Sequence, residues 1–198
     1  IMTVLDAAKT KYNFQVHYAG PGVGGPCLPV NSYQMINLAK NMGFDTLKSV
    51  EMARTINENM PEHVLKLTLD SFVDNKKSIE NSNILILGIS YKPNVKDIQL
   101  TPAEIIIKKL QKLGVNIHIY DPYFISSDVF GIRTEQNLEN IISNVDAAII
   151  VTGHEEFKNL DISIFNKMKS PILIDTRGII DPTSAKNNNL IFRGLGRG

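Results

Sequence analysis

The second half of the chain alternates short apolar segments with amphipathic ones, and this alternation restricts the possible folds more than any other feature. Residues 84–88 form a continuous apolar run that ends in glycine, as is typical of a strand buried on both faces of a parallel sheet. Similar patterns predict strands at 115–120, 147–151 and 172–174, and helices at 101–113, 137–142, 160–168 and 183–186. Strands and helices that alternate at this spacing predict an α/β fold with a doubly wound parallel sheet.

Polar and charged residues follow the predicted strands, at the edge where sheets of this kind bind ligands. Lys92 and Arg177 are suited to grip phosphate at that edge, although both are equally consistent with solvated or salt-bridged strand ends. Gly88 is followed by Ile-Ser-Tyr, without the second and third glycines of a dinucleotide-binding turn. The sheet is therefore a weak candidate for an NAD site and a better one for a different phosphorylated ligand.

The first part of the chain carries helical patterns only. Residues 2–11 have a helical pattern, and a second helix, capped by Asn31 or Ser32, is predicted to end near residue 41. A third helical pattern covers residues 45–72 and contains Pro61, which can kink a helix. At 1.5 Å per residue this helix would span about 40 Å, a length that suits a connector or a dimer seam.

A polar stretch near residues 75–82 separates the two patterns. It predicts a boundary between a helical dimerisation region, residues 1–78, and a sheet domain, residues 79–198. The opening Ile-Met-Thr-Val-Leu lacks the basic and long apolar parts of a signal peptide. It has the pattern of a helix tail, as if the chain began midway through a larger protein.

Residues 20–29 hold four glycines and the only cysteine of the chain. Glycine lets the main chain approach a ligand closely, and the prolines on both sides of Cys27 restrict its geometry. One interpretation is a loop that presents Cys27 while its amide groups face a bound anion or sugar. The other is a flexible surface loop with an incidental buried cysteine.

Composition excludes several classes of function. The 198 residues are 43% hydrophobic and 21% charged, with a net charge of +1, which indicates a soluble globular protein without an electrostatic preference for nucleic acid or membranes. A single cysteine excludes an internal disulfide and suits a reducing, cytoplasmic setting. The histidines show no metal-ligand spacing, so we expect them at the surface or behind a binding site, and we expect no metal site: His17, His63, His118 and His154.

Four motifs together resemble the nucleotide-sugar 6-dehydrogenases, the UDP-glucose/GDP-mannose dehydrogenase family. They are Gly-Pro-Gly-Val-Gly-Gly-Pro-Cys-Leu-Pro-Val (20–30), Tyr-Lys-Pro-Asn-Val-Lys-Asp (91–97), Tyr-Asp-Pro (120–122) and Asp-Thr-Arg (175–177). The first two are most similar to the branch that acts on UDP-N-acetyl-D-mannosamine or UDP-N-acetylglucosamine. The resemblance implies a central helical dimerisation region and a C-terminal Rossmann-like UDP-sugar domain, with the family's N-terminal NAD-binding domain absent from this chain.

The resemblance also implies a chemistry. Members oxidise the C6 alcohol of the sugar to an acid with two NAD, through a thiohemiacetal and a thioester on the cysteine that corresponds to Cys27. Asn31 stands where the family usually has an assisting aspartate. The implied substrate-binding residues are Tyr18, Gly20, Gly22, Val23, Gly24, Gly25, Tyr91, Lys92 and Arg177, and the implied cofactor-binding residues are Pro29, Val30 and Gln99.

Two departures keep other functions open. Asn31 cannot accept a proton at neutral pH as an aspartate would, and Gln99 replaces an arginine expected near the NAD phosphates. The family's assisting lysine, asparagine and glutamate would precede residue 1, so we predict that this chain alone is inactive. The alternatives are a UDP-glucose 6-dehydrogenase, or a catalytically impaired module that binds nucleotide sugars and dimerises.

Overall fold

The sheet in the second half of the chain has five parallel strands among the residues that the structure describes. The structure, a computed structural model, describes residues 1–196; the last two residues of the predicted second domain lie outside this range. The strands are β1 (Asn83–Leu87), β2 (Asn116–Tyr120), β3 (Asp128–Val129), β4 (Ile132–Arg133), β5 (Ala147–Ile150), β6 (Ile172–Asp175) and β7 (Ile191–Gly194). The sheet order β2-β1-β5-β6-β7 confirms the predicted fold class, and β3 and β4 form a separate antiparallel hairpin.

The helices are α1 (Met2–Ala8), α2 (Leu28–Asn41), α3 (Lys48–Asp74), α4 (Pro102–Lys112), α5 (Leu138–Ile142), α6 (Glu155–Lys158) and α7 (Pro182–Asn187). Side-chain caps fix three of the starts, because Thr101, Asn137 and Asp181 each accept a main-chain N–H of the following helix. Of the residues described, none belongs to a helix long and apolar enough to cross a membrane.

Alternating side chains of β1 divide the core into two layers. Ile84 and Ile86 face α3 and α4, whereas Leu85 and Leu87 face α5, α6 and α7. All four are 0% exposed, as expected of a strand covered by helices on both faces. The sheet is therefore the middle of three layers.

The long helix α3 belongs to both parts of the molecule. Its 27 residues run continuously through Pro61. Beyond that proline, Val64, Leu65 and Phe72 are buried in the core of the sheet. Proline has no N–H, so the carbonyl of Asn57, four residues earlier, lacks its helical partner. The Asn57 carbonyl is therefore without its helical hydrogen bond close to Gly22, in the Gly-rich segment of residues 20–27.

The prediction for the start of the second helix is wrong. Asn31 and Ser32 are good cap residues, but α2 begins at Leu28 with Cys27 in the cap position. Pro29 stands in the first turn, where proline is favoured because its missing N–H would have had no helical partner. Asn31 is therefore inside the helix.

One prediction near the sheet also needs correction, and some strands were missed. The predicted helix at 160–168 is a 3-10 helix, Ile162–Lys167, capped by Asp161; its two isoleucines and a serine have low α-helix propensity. The strand β7 and the hairpin β3–β4 were not predicted. The side chains of β7 are only half-buried and the hairpin strands have two residues each, so neither shows a clear apolar pattern.

Candidate active site

The segment 20–27, here the Gly-rich loop, is held between the helical part and the sheet domain. The side chain of Asn57 accepts from the Val23 N–H at 2.7 Å and donates to the Val23 carbonyl at 3.3 Å. On the other side, the Gly25 N–H donates to the Gln99 carbonyl at 2.9 Å. The loop therefore has a defined position between α3 and the segment that precedes α4.

The glycines of this loop lie against protein atoms at close range. A Cβ atom on Gly24 would collide with the carbonyl oxygen of Leu100, and one on Gly25 would come within 2.7 Å of the Tyr91 ring. Gly25 also has a φ of +86°, which favours glycine. A Cβ on Gly20 would meet the flexible end of the Arg177 side chain, and Gly22, with a φ of +132°, lies against Pro102. Packing on the sheet domain therefore demands glycine here, whether or not a ligand also approaches the loop.

Gly25→Ala should lower the free energy of unfolding by about 3 kcal/mol. About 1 kcal/mol comes from an alanine at positive φ, and the rest from the overpacked contact with Tyr91. Gly43→Ala is the matched control, because Gly43 has a φ of +79° and nothing within 4 Å of the added Cβ. Urea denaturation of both variants measures the difference. Equal losses would show that Tyr91 yields without cost, contrary to this prediction.

Cys27 is exposed at the start of α2, so the interpretation as an incidental buried cysteine is wrong. The Asn31 N–H donates to the Cys27 carbonyl at 2.9 Å. Residues four apart lie on the same side of a helix, and Asn31 is also exposed. Cys27 and Asn31 are therefore exposed residues on the same side of the start of α2.

A cavity of about 420 Å³, here the strand-end cavity, opens beyond the carboxyl ends of β5 and β6. It brings together residues from α1, the segment just before the Gly-rich loop, the loop after β1, the turns after β5 and β6, and α6. The lining residues are Met2, Asp6, Tyr18, Ala19, Pro93, Gly153, Lys158, Arg177, Gly178 and Ile179. The cavity therefore lies at the carboxyl edge of the sheet, where parallel α/β sheets bind their ligands.

Arg177 supplies the strand-end cavity with a cation that lacks a full set of partners. Its Nε donates to the Val151 carbonyl at 2.6 Å, whereas the buried Nη2 has no hydrogen-bond partner among residues 1–196. Burial lowers the pKa of Arg177 to about 10, although the charge of Asp175 opposes the shift, and the guanidinium stays charged at neutral pH. A buried donor without a partner is costly, so an anionic oxygen that entered the cavity would relieve that cost.

The carboxylate of Asp175 builds the turn that carries Arg177. One oxygen accepts the N–H groups of Arg177 and Gly178 at 2.8 and 2.9 Å, and the other accepts that of Ile180 at 2.8 Å. Burial raises the pKa of Asp175, and these main-chain donors oppose the shift. The motif thus fixes the main chain of Arg177, a residue that lines the cavity while its Nη2 is buried.

Tyr91 and Lys92 lie on the loop of residues 90–97, and neither lines the strand-end cavity. The ring of Tyr91 packs on Gly25, and the exposed Lys92 Nζ is 5.7 Å from the centre of that ring. Pro93, the next residue, does line the cavity. The structure therefore brings Tyr18 and Arg177 together and places Tyr91 and Lys92 on the adjoining loop.

A buried carboxylate and histidine lie beneath this loop. Asp121 and His154 are both 0% exposed, and His154 Nε2 is 3.1 Å from Asp121 Oδ2. Burial would raise the pKa of Asp121, but bonds from His154 and from the N–H groups of Ile89 and Tyr123 outweigh it and hold the pKa below its usual value. His154 is thus not at the surface, which the sequence had left open.

A second cavity of about 430 Å³, here the helix cavity, lies between α2, α3 and the start of α4. It is lined by Gly22, Val23, Pro29, Val30, Tyr33, Arg54, Asn57, Glu58, Pro61, Leu100, Thr101, Pro102, Glu104 and Ile105. Of the three implied cofactor residues, Pro29 and Val30 line it. Gln99 does not line this cavity. Its main-chain carbonyl accepts the Gly25 N–H and so helps to hold the Gly-rich loop.

The Gly-rich loop packs against the start of the helix that follows β1. In nucleotide-binding sheets of this type the pyrophosphate lies at the start of the helix after β1. Here Thr101, at the start of α4, is 1% exposed, and Gly22 and Gly24 of the Gly-rich loop pack on Pro102 and Leu100. The Gly-rich loop therefore fills that position.

Some residues of the strand-end cavity were not expected from the sequence. These are the charged lining residues Asp6 and Lys158. Asp6 comes from α1, which no local pattern connects to the sheet, whereas Lys158 is four residues after a recognised strand-end histidine and could have been found. Among residues 1–196 no cluster of His, Cys, Asp and Glu could hold a metal ion.

Comparisons with known proteins assign the helical part and the sheet domain to the same family. Residues 1–59 match the central domain of the UDP-glucose/GDP-mannose dehydrogenase family. Residues 85–182 match the UDP binding domain of the same family. The two matches cover the Gly-rich loop and the strand-end cavity.

Individual relatives align over nearly the whole chain. It is 32% identical over 199 residues to a UDP-N-acetyl-D-mannosamine dehydrogenase of Pyrococcus horikoshii, covering 100% of this chain and 44% of the relative. It is 29% identical over 184 residues to a UDP-glucose 6-dehydrogenase of Bacillus subtilis, covering 90% of this chain and 39% of the relative. A solved structure of the UDP-D-ManNAc dehydrogenase from Pyrococcus horikoshii matches with a TM-score of 0.86 and 31% identity, over 100% of this chain and 44% of that one.

The chain thus spans less than half the length of these relatives. Within that span, two family models, the relatives and the fold agree. The chain belongs to the UDP-glucose/GDP-mannose dehydrogenase family, of which it carries the central and UDP-binding domains.

Proposed function

We propose that this chain is the C-terminal portion of an NAD-dependent UDP-sugar 6-dehydrogenase that oxidises a UDP-N-acetylhexosamine to the uronic acid. The observation that carries the proposal is the position of one segment, residues 20–27. At Gly20 it packs against Arg177 of the strand-end cavity, and seven residues later it presents the exposed Cys27. A ligand held by its phosphates at Arg177 would have its sugar close to the thiol.

The nucleotide part of the substrate would occupy the strand-end cavity. The unpaired Nη2 of Arg177 offers a donor to a phosphate oxygen, and Lys158 adds a second cation to the lining. Tyr18 offers an aromatic surface, with its hydroxyl held by Asp6 at 2.9 Å. Lys92 is exposed on the adjoining loop, and in this proposal it approaches the same anion.

Cys27 would act as the nucleophile for the second half of the oxidation. Its thiolate adds to the C6 aldehyde, forming a C–S bond and a thiohemiacetal, whose oxidation leaves a thioester. Water then adds to the thioester carbon, the C–S bond breaks, and the acid and the thiolate separate. Asn31, one turn along α2, can orient that water but cannot take its proton.

NAD would supply the hydride acceptor for both oxidations. The residues of this chain fit the cofactor only in part. Pro29 and Val30 line the mainly apolar helix cavity, which suits contact with a flat ring. Gln99 is exposed and uncharged, and the start of α4 is covered. We propose that the phosphates of NAD are held by a preceding domain, and that this chain alone releases no NADH.

The proposed assembly is a homodimer formed through the helical part. Large apolar side chains of α2 and of the first half of α3 are exposed: Met35, Leu38, Met52 and Ile56. A second copy of the same helices would cover them.

The choice of sugar and the catalytic competence are parts of the proposal that need a direct test. The Bacillus subtilis relative is a UDP-glucose 6-dehydrogenase, so UDP-glucose is the alternative substrate. Asn31 and Gln99 favour the second alternative, an impaired module that binds nucleotide sugars and dimerises.

The complete dehydrogenase that contains this chain should release two NADH per molecule of UDP-N-acetylmannosamine or UDP-N-acetylglucosamine, and should oxidise UDP-glucose more slowly. Absorbance at 340 nm measures NADH, and binding of UDP measured by calorimetry is the control for a folded site. One NADH per enzyme followed by a stall would indicate a trapped thioester and an inadequate Asn31. No NADH from a protein that still binds UDP would favour the impaired module.

A further inference from the structure

The hydrogen bonds around His154 define its state. Nδ1 accepts from the main-chain N–H of Asn94 at 2.9 Å, so it carries no proton. Nε2, 3.1 Å from the Asp121 carboxylate, is then the donor. The side chains of His154 and Asp121 are 1% and 0% exposed. The ring is therefore a neutral, fully bonded link between a buried carboxylate and the 90–97 loop.

Asn94 is the point where this link enters the loop. It adopts a φ of 60°, unusual for a residue with a side chain, and is held from both sides. Its N–H donates to His154, and its side-chain oxygen accepts from the Glu155 N–H at 3.0 Å. At the ends of the loop, the Tyr91 N–H donates to the Asp97 carbonyl at 3.0 Å. His154 and Glu155 thus fix the middle of the loop.

The middle of the loop is also the part that adjoins the strand-end cavity. Pro93, next to Asn94, lines the strand-end cavity. Lys92 precedes Pro93, and Tyr91 packs on Gly25 of the Gly-rich loop. A shift of Asn94 would therefore displace the cavity wall and the lysine together.

We propose that His154 is a positioning residue for nucleotide binding, which it serves by holding the Asn94 N–H while Asp121 fixes the ring. The proposal rests on the proposed function, since it assumes that the strand-end cavity binds the UDP part of a substrate. His154 itself does not line the cavity. Its effect on the ligand passes through the 90–97 loop.

Two variants separate this role from a purely structural one. In His154→Asn the amide oxygen can replace Nδ1 as acceptor for Asn94, but Asp121 loses its partner. In His154→Gln the amide nitrogen can replace Nε2 as donor to Asp121, but the Asn94 N–H loses its acceptor. His118→Gln is the control, because His118 contacts Glu135 at 3.0 Å and is half-buried on β2, outside the lining of the cavity.

UDP affinity by calorimetry and urea midpoints are measured for all three variants of this chain. We expect His154→Gln to weaken UDP binding about 10-fold, the effect of one lost hydrogen bond, and His154→Asn to stay within about threefold of the wild type. The order of stability should be the reverse, with the lower urea midpoint in His154→Asn. UDP affinity that follows the urea midpoint in both variants, or that changes in neither, would overturn the proposal.

Hydrogen exchange of residues 90–97, followed by mass spectrometry without ligand, separates failure of this proposal from failure of the proposed function. Exchange should accelerate in His154→Gln and stay near the wild-type rate in His154→Asn. If the wild type binds no UDP, the proposed function is contradicted, and exchange alone decides whether His154 orders the loop. Equal exchange in both variants would refute the positioning role.

Discussion

Arg177→Ala is expected to weaken the binding of UDP to this chain by about 100-fold. Hydrogen bonds to charged groups contribute about 1.5–3 kcal/mol, which corresponds to about 10- to 100-fold in affinity. Arg177 can offer more than one such bond, because its guanidinium is planar and Nη2 has no partner among residues 1–196. The upper end of the range therefore applies.

Arg177→Ala should weaken UDP binding without a comparable loss in the free energy of unfolding. Arg177→Ala loses the bond from Nε to the Val151 carbonyl, but it also removes a buried donor without a partner and the cost of burying a charge. These effects oppose each other, so the free energy of unfolding should change by no more than about 1 kcal/mol. A cation with an unpaired donor is expected in a site that binds an anion. An arginine with a purely structural role would be expected to have protein partners for its donors.

Arg133→Ala is the matched control for the change in charge. Arg133 lies on the β3–β4 hairpin, contacts Asp128 at 3.0 Å, and its side chain is 64% exposed. Calorimetric titration with UDP should give an unchanged affinity for this variant. If both arginine variants weaken binding equally, the effect is one of net charge, and Arg177 has no specific contact with the nucleotide.

The sheet could be predicted from the sequence because its central strands are buried on both faces. The residues of β1 and β5 form continuous apolar runs, and a short run of this kind that ends in a turn residue is typical of a buried parallel strand. The strand β7 has the opposite character. It lies at the sheet edge with Phe192 and Arg193 half-buried, and a half-buried strand of four residues does not differ clearly from a loop.

The Gly-rich loop could be predicted only in part, because its contacts are distant in the chain. Its glycines indicated that a ligand could approach the main chain closely. In the structure, the atoms that lie close to these glycines are protein atoms of the sheet domain. Gly24 and Leu100 are far apart in the chain, so no local rule connects them. The same holds for Asn57, whose side chain holds Val23 at a separation of 34 residues.

The candidate site was predictable to the extent that it follows strand ends. Arg177 and the segment of Tyr91 and Lys92 were found in this way. His154 was also at a strand end, but a histidine in sequence does not reveal whether it faces water or a buried carboxylate. Only the packing of Asp121 beneath the 90–97 loop decides this.

Cys27→Ser should reduce NADH production by the complete dehydrogenase at least about 10³-fold, the usual order for loss of a covalent nucleophile. A serine hydroxyl is a weak nucleophile unless a base lies beside it. At the exposed start of α2, the neighbouring Asn31 is uncharged and cannot act as that base. UDP affinity should stay unchanged, because Cys27 does not line the strand-end cavity. The split between lost turnover and retained binding is the expected signature of the nucleophile.

Ser32→Ala is the control for Cys27→Ser, since Ser32 lies near the start of the same helix and donates to the Leu28 carbonyl at 2.6 Å. It should keep turnover within about threefold of the wild type. Mass spectrometry of wild-type enzyme quenched during turnover should show the sugar mass on the peptide that contains Cys27. Its accumulation would locate the slow step at thioester hydrolysis, where Asn31 stands one turn away and offers water a hydrogen bond but no base. Asn31→Asp should then shorten the lifetime of the adduct, whereas a Cys27→Ser enzyme that retains turnover would exclude covalent catalysis by this cysteine.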